Sequence, residues 1–110
     1  MSSSGSPVIT VNENEYGIPC VFNVSFNLSA FTVLQIQFTK PDKSVMTVSA
    51  TAPNVNLTTA LGTFLAQQYA QYTFQNGDLN QTGTWSARVI YTDATPMHLI
   101  SNVSTFQVNP

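Results

Sequence analysis

The chain predicts an all-β protein, an antiparallel sandwich of about seven strands, and three observations carry the prediction. Apolar residues fall at every second position through LQIQFTKPDKSVMTVSA, residues 34–50, which is the period of half-buried strands. The turn residues Lys40, Pro41, Asp42, Lys43 and Ser44 split that run into a hairpin. A second stretch, YTFQNGDLNQTGTW, residues 72–85, has the form of a strand, a tight corner at Gly77, Asp78, Leu79 and Gly83, and a new strand opened by Trp85. A chain crossing between the two sheets of a sandwich needs such a corner, with an aromatic side chain kept in the shared core. Finally, the alternating segments are joined by short polar turns along most of the length.

Taken in order, residues 8–11 make a short first strand. Residues 19–26 make a second, with Cys20, Phe22, Val24 and Phe26 on one face. Asn27, Leu28 and Ser29 form a polar turn. The third strand, residues 31–39, turns Leu34, Ile36 and Phe38 inward and Val33, Gln35 and Gln37 outward. After the Pro41 turn, residues 45–52 return with Met46, Val48 and Ala50 toward the core, and Pro53 ends the strand because it has no N–H for a ladder. Leu57, Leu61 and Leu65 recur every four residues, which predicts a short helical turn near residues 57–66, interrupted by Gly62. Residues 69–74 resume the alternation with Ala70, Tyr72 and Phe74 on one side. Residues 83–92 follow with Trp85, Ala87, Val89 and Tyr91 inward, and residues 97–108 form a long last strand carrying Phe106 and Val108. The expected core anchors are Trp85, Phe22, Phe38, Tyr72 and Phe106. Strand spacing and corner together predict an immunoglobulin-like sandwich over residues 8–110, preceded by an N-terminal arm, residues 1–7.

Composition narrows the function classes. A chain of 110 residues is one domain, able to bury roughly 60 to 70% of its unfolded surface without metal or disulfide. Only 7% of residues are charged, against about 25% in an ordinary soluble domain, so the polar surface is built from uncharged groups. Ser, Thr, Asn and Gln supply 43 of the 110 residues. Such a surface has little long-range repulsion and many short-range hydrogen-bonding groups, which suits permanent assembly; it equally suits an extracellular domain with a polar skin. Three cations and a formal net charge of -2 cannot track a phosphate backbone, so nucleic acid is not an expected partner. The opening residues lack the apolar core of a secretory signal, and no apolar run is long enough to cross a membrane, so no membrane partner is expected. Five Asn-x-Ser/Thr sequences, at Asn23, Asn27, Asn56, Asn80 and Asn102, follow from the abundance of these residue types.

The order QFTKPDKSVMTVSATA, then YTFQNGDLNQTGTWSARVIYTD, then STFQV resembles a family of small bacteriophage tail proteins. In that family a KPDG hairpin, a GDLxxxGxW corner and a closing FxVxP strand recur, and the match, from about Leu28 to Pro110, is similar to the immunoglobulin-like N-terminal domain of phage upper baseplate proteins. The resemblance implies a virion location, with copies of the chain and other virion proteins as partners. The chain departs from the pattern in two places. Lys43 stands where the family has glycine, at a cost on the order of 1 kcal/mol if its backbone is left-handed. The segment at residues 53–66 is also longer than the family pattern.

No catalytic, metal or cofactor site is expected. His98 is the only histidine and lies in a strand beside Met97 and Leu99, with no second His or Cys near it in sequence to complete a zinc site. Asp42 and Asp78 sit in turns, where an aspartate bonds the backbone two residues on. The single Cys20 falls in phase with the core. The leading expectation is a non-enzymatic, multi-copy virion structural module of the tail, baseplate or head-tail region. Two alternatives stand beside it: a capsid decoration protein, and an adhesin module binding host glycan through aromatics drawn from Trp85, Tyr16, Tyr69 and Tyr91, of which Trp85 is better explained as core because it shares phase with Ala87 and Val89.

Overall fold

The computed structural model describes residues 11–24, 27–59, 62–94, 98–101 and 103–110. Ten strands are named among them: β1 (Val11–Asn12), β2 (Pro19–Asn23), β3 (Phe31–Thr39), β4 (Val45–Ser49), β5 (Leu57–Thr59), β6 (Gly62–Phe64), β7 (Tyr69–Thr73), β8 (Gly83–Asp93), β9 (His98–Ile100) and β10 (Ser104–Asn109). The expected N-terminal arm, Val8 and Phe26 lie outside the described residues.

The all-β sandwich is present. Its large sheet runs β1-β10-β8-β3-β4, with β9 also on β8, and a β2-β7 pair forms the opposing layer. The first strand pairs parallel with the last, Val11 with Val108, while the other ladders of the large sheet are antiparallel. This central order, last strand beside β8, β3 and β4, is the arrangement of an immunoglobulin-like sandwich. Alternation places the core as expected. Leu34, Ile36, Phe38, Trp85, Ala87, Val89, Tyr91, Phe106 and Val108 line the inner face of the large sheet, and Cys20, Phe22, Ala70 and Phe74 come from the opposing layer; all are buried. Phe38 is the hub: the rings of Phe22, Tyr72, Phe74, Trp85 and Phe106 lie 5.6 to 6.3 Å from its own, edge-on or tilted.

Three expectations are corrected. The segment near residues 57–66 is no helical turn: β5 and β6 pair antiparallel, Leu57 opposite Phe64. Gly62, at φ +122°, takes a backbone conformation that β-carbon-bearing residues resist. Leu57 and Phe64 pack with Val21 and Tyr69 in a second small core on the outer side of β2-β7, and Leu65 points to solvent. The β2-β7 layer is therefore covered on both faces. The long last strand is broken into β9 and β10. Between the pairs Ile90–Ile100 and Ala87–Ser104, four steps on the last strand oppose three on β8, which is one extra residue, a bulge. Ser101 repairs the ladder there, its Oγ accepting from Val89 N at 2.8 Å while its own N–H donates to Val89 O at 2.9 Å. Finally, the turn at residues 27–29 is not polar throughout, because Leu28 is fully buried.

Candidate functional site

The motif residues converge at one end of the sandwich, where the β3-β4 hairpin lies against the corner before β8. The hairpin turn has the form of a type I turn followed by a left-handed residue. Lys43 N donates to Lys40 O and Lys40 N to Ser44 O, both at 2.9 Å, and Lys43 has φ +74°. Lys43 thus adopts the conformation for which glycine is the natural residue. Asp42 behaves as expected, its Oδ1 accepting from Ser44 N at 2.9 Å and from Ser44 Oγ at 2.6 Å. These hydrogen bonds, led by the Ser44 hydroxyl, hold the Asp42 carboxyl below its ordinary value.

On the facing side, Asp78 departs from expectation. It does not bond two residues on; its Oδ2 accepts from Gln75 N, three residues back, at 2.7 Å and from the Tyr72 hydroxyl at 2.5 Å. Burial and then this carboxylate raise the Tyr72 phenol above its ordinary value. Leu79 fills the core at full burial, and Gly77 gives the corner its positive φ of 95°. Trp85 is completely buried, and its indole N–H donates to Gln81 O at 3.0 Å, so its one polar atom is satisfied.

Three residues of the hairpin clasp it to the corner and to Trp85. Lys40 Nζ donates to Asn80 Oδ1 at 2.9 Å and sits 5.3 Å from the centre of a Trp85 ring, a cation–π contact. Asp42 N donates to Gln81 Oε1 at 3.2 Å. Pro41 packs on Gly83, where an added Cβ would stand 3.0 Å from Pro41 Cγ, and Gly83 itself has φ +124°. Beside the clasp lies a shallow open cavity of about 410 Å³ lined by Thr39, Lys40, Pro41, Lys43, Thr84, Trp85 and Ser86. Its lining sets the ammonium groups of Lys40 and Lys43 and the hydroxyls of Thr39, Thr84 and Ser86 beside the apolar surfaces of Pro41 and Trp85. No histidine or carboxylate lines it to activate those hydroxyls.

Elsewhere, His98 is exposed, with Nδ1 2.9 Å from Thr92 Oγ1. Among the described residues no group of three or more His, Cys, Asp or Glu side chains is placed to hold a metal ion. Cys20 is buried and its thiol is pushed up to about 12, chiefly by burial. The aromatic platform expected for a glycan is not assembled: Trp85, Tyr69 and Tyr91 are buried, and Tyr16 alone of the four is exposed. Tyr69 donates instead to Val55 O at 2.9 Å, and Tyr91 to Asp93 Oδ2 at 2.9 Å.

The hairpin turn with Lys40, Pro41 and Asp42 and the corner with Gly77, Asp78, Leu79 and Gly83 read as separate features in the sequence; nothing in the residue pattern showed that they meet, nor that Asn80 and Gln81 join them. Their separations of 39 and 40 residues carry no local signal; only the polarity of Asn80 and Gln81 inside the corner motif hinted at them. Comparison with protein-family models, curated proteins and solved structures finds no match to this chain.

Proposed function

We propose that this protein is a non-enzymatic structural module of a bacteriophage virion, present in many copies at the tail, baseplate or head-tail region. The observation that carries the proposal is that the three stretches resembling the phage tail family pack on one another. Pro41 of the hairpin lies on Gly83 of the corner, Lys40 covers Trp85, and Phe106 of the closing strand stacks 5.9 Å from Trp85. The resemblance therefore falls on one physical unit instead of three scattered strings. A chain with only 7% charged residues, and with Ser, Thr, Asn and Gln supplying its polar groups, supports the same reading, because such an exterior favours standing contacts with neighbours.

Burial of three of the four aromatic rings weighs against the glycan-adhesin alternative. The capsid decoration alternative differs from the leading reading in copy number. The test is quantitative mass spectrometry of purified particles from the phage encoding this chain. Copies in multiples of three or six per particle support a tail or baseplate position, since closed rings impose such counts. Copies on the order of hundreds move the protein to the capsid, and absence from particles removes the proposal.

A further inference from the structure

Among the described residues the large sheet ends at β4, which is hydrogen-bonded there to β3 on one side only. The register shows which of its backbone groups face outward. Lys40 N donates to Ser44 O and Ala50 N to Leu34 O, both at 2.9 Å, and the pairs Phe38–Met46 and Ile36–Val48 are in phase with these two. In an antiparallel ladder bonded and non-bonded pairs alternate, so Met46 and Val48 bond β3 while Val45, Thr47 and Ser49 turn their N–H and C=O groups away from it. Thr51, next in the outward series, exchanges hydrogen bonds of 3.0 and 2.8 Å with Gln71 of β7, which demonstrates the direction. The outward groups of Val45, Thr47 and Ser49 have no partner among the described residues, and all three side chains are exposed.

Proteins that stay monomeric protect such an edge with proline, an inward charge, a bulge or a covering loop. The segment Val45-Met46-Thr47-Val48-Ser49 contains no proline, charge or bulge. We infer that β4 pairs antiparallel with β4 of a second copy of this chain, about a two-fold axis at Thr47, so that Thr47 faces Thr47 and Val45 faces Ser49.

The outward groups select that register. Centred on Thr47, three residue pairs each exchange both bonds. A shift of one pair in either direction leaves two, because it calls on Lys43, which is left-handed in the turn, or on Thr51, already bonded to Gln71. Charge selects the orientation and the partner. In the antiparallel pair each Lys43 comes level with Thr51 of the other copy, and the two Lys43 residues stand eight residues apart along the strands, about 27 Å. That is roughly three Debye lengths at physiological salt, so the like charges do not oppose pairing. Parallel pairing would set Lys43 beside Lys43. An uncharged strand that complements itself needs no second protein. A strand-edge contact is smaller than a standard interface of about 1,600 Å², so the dimer it makes is weak and depends on concentration.

The inference rests on the multi-copy reading for its setting, but its test uses isolated protein, so its failure leaves that reading to be judged by particle composition. Across a bonded antiparallel pair the Cα atoms are about 5.5 Å apart, within disulfide reach. Thr47→Cys is expected to give a covalent dimer on mild oxidation or with a short bis-thiosulfonate linker. Val45→Cys alone gives none, since the two copies of residue 45 stand about 13 Å apart, whereas a mixture of Val45→Cys and Ser49→Cys chains does. The buried Cys20 adds no competing link. Equal linking of Thr47→Cys and Val45→Cys, or none at Thr47, overturns the inference. Sedimentation equilibrium supplies the second readout. The unmodified chain is expected to self-associate with rising concentration, and Thr47→Lys, which sets two ammonium groups on the axis, abolishes it. A monomer at every concentration, or association untouched by Thr47→Lys, overturns the inference as well.

Discussion

Gly83→Ala tests the clasp between hairpin and corner, and its magnitude can be built from two separable costs. At φ +124° the residue lies where an L side chain is strained, worth of order 1–3 kcal/mol. The new methyl would also stand 3.0 Å from Pro41 Cγ and 3.4 Å from Pro41 Cβ, and the proline ring cannot swing aside as a flexible side chain would. Overpacking of this kind costs about 1–3 kcal/mol. We expect a total loss of about 2–6 kcal/mol, a large part of the stability of a domain this size. The assay is urea unfolding followed by the fluorescence of Trp85, the single tryptophan, which passes from full burial to water. With a slope near 1–1.5 kcal/mol per molar urea, the midpoint should fall by about 1.5 M or more. Pro41→Ala in the same background removes the contact but not the backbone strain, so a double-mutant cycle should return a coupling of about 1 kcal/mol or more. A midpoint unmoved by Gly83→Ala, or a cycle with no coupling to Pro41, would refute the reasoning.

Lys43→Gly works in the opposite sense. Relief of the left-handed backbone should stabilise the protein by up to about 1 kcal/mol, raising the thermal midpoint in calorimetry by a few degrees. Phe38→Ala, which empties the centre of five ring contacts, should cost about 3–5 kcal/mol and leave a protein largely unfolded in moderate urea. The Cys20 thiol, pushed up to about 12, should resist a thiol-specific reagent at pH 8 until denaturant is added; rapid native labelling would contradict its burial. The pH dependence has two limbs. Asp42 is depressed in the folded state, so its contribution is present above its ordinary value of 3.8 and lost as pH falls below it, and Asp42→Asn should flatten that acid limb. Tyr72 is raised, so its contribution is present below its ordinary value of 10.0 and fades as pH rises beyond it, a loss that Tyr72→Phe should remove.

The sandwich was legible because most core strands are buried on one face, and one-sided burial writes itself into sequence as alternation. Residues 34–38 and 85–91 show the pattern without interruption. Where burial is two-sided, the signal fails. In β7 both Tyr69 and Ala70 are buried, one under each core, so phase alone could not show that Tyr69 is inaccessible. The leucines at 57, 61 and 65 match a helical repeat by coincidence. The pair that sets the structure is Leu57 with Phe64, and the better local signal was the β-branched Thr58, Thr59 and Thr63. The clasp was half legible. Turn chemistry located both of its parts, yet the bonds that join them depend on tertiary approach and leave no trace in spacing.

The clasp and the open edge are linked through Lys43. Left-handed at Lys43, the chain leaves the turn and enters β4 two residues later in the register that aims Val45, Thr47 and Ser49 outward. Left to itself, a two-stranded hairpin tip would fray, and an edge that frays must be ordered before another strand can add to it. Here Lys40, Pro41 and Asp42 are tied to Asn80, Gly83 and Gln81, and the far end of the strand is tied by Thr51 to Gln71. The edge between these two ties is therefore ordered before any encounter. A loosened clasp should weaken self-association even where the fold survives. Asn80→Ala, which removes only the Lys40 acceptor on the surface, should lower the yield of the Thr47→Cys cross-link while the urea midpoint stays nearly unchanged, because an exposed hydrogen bond of this kind contributes only about 1 kcal/mol or less. An unchanged cross-link yield would show that β4 holds its register without the corner.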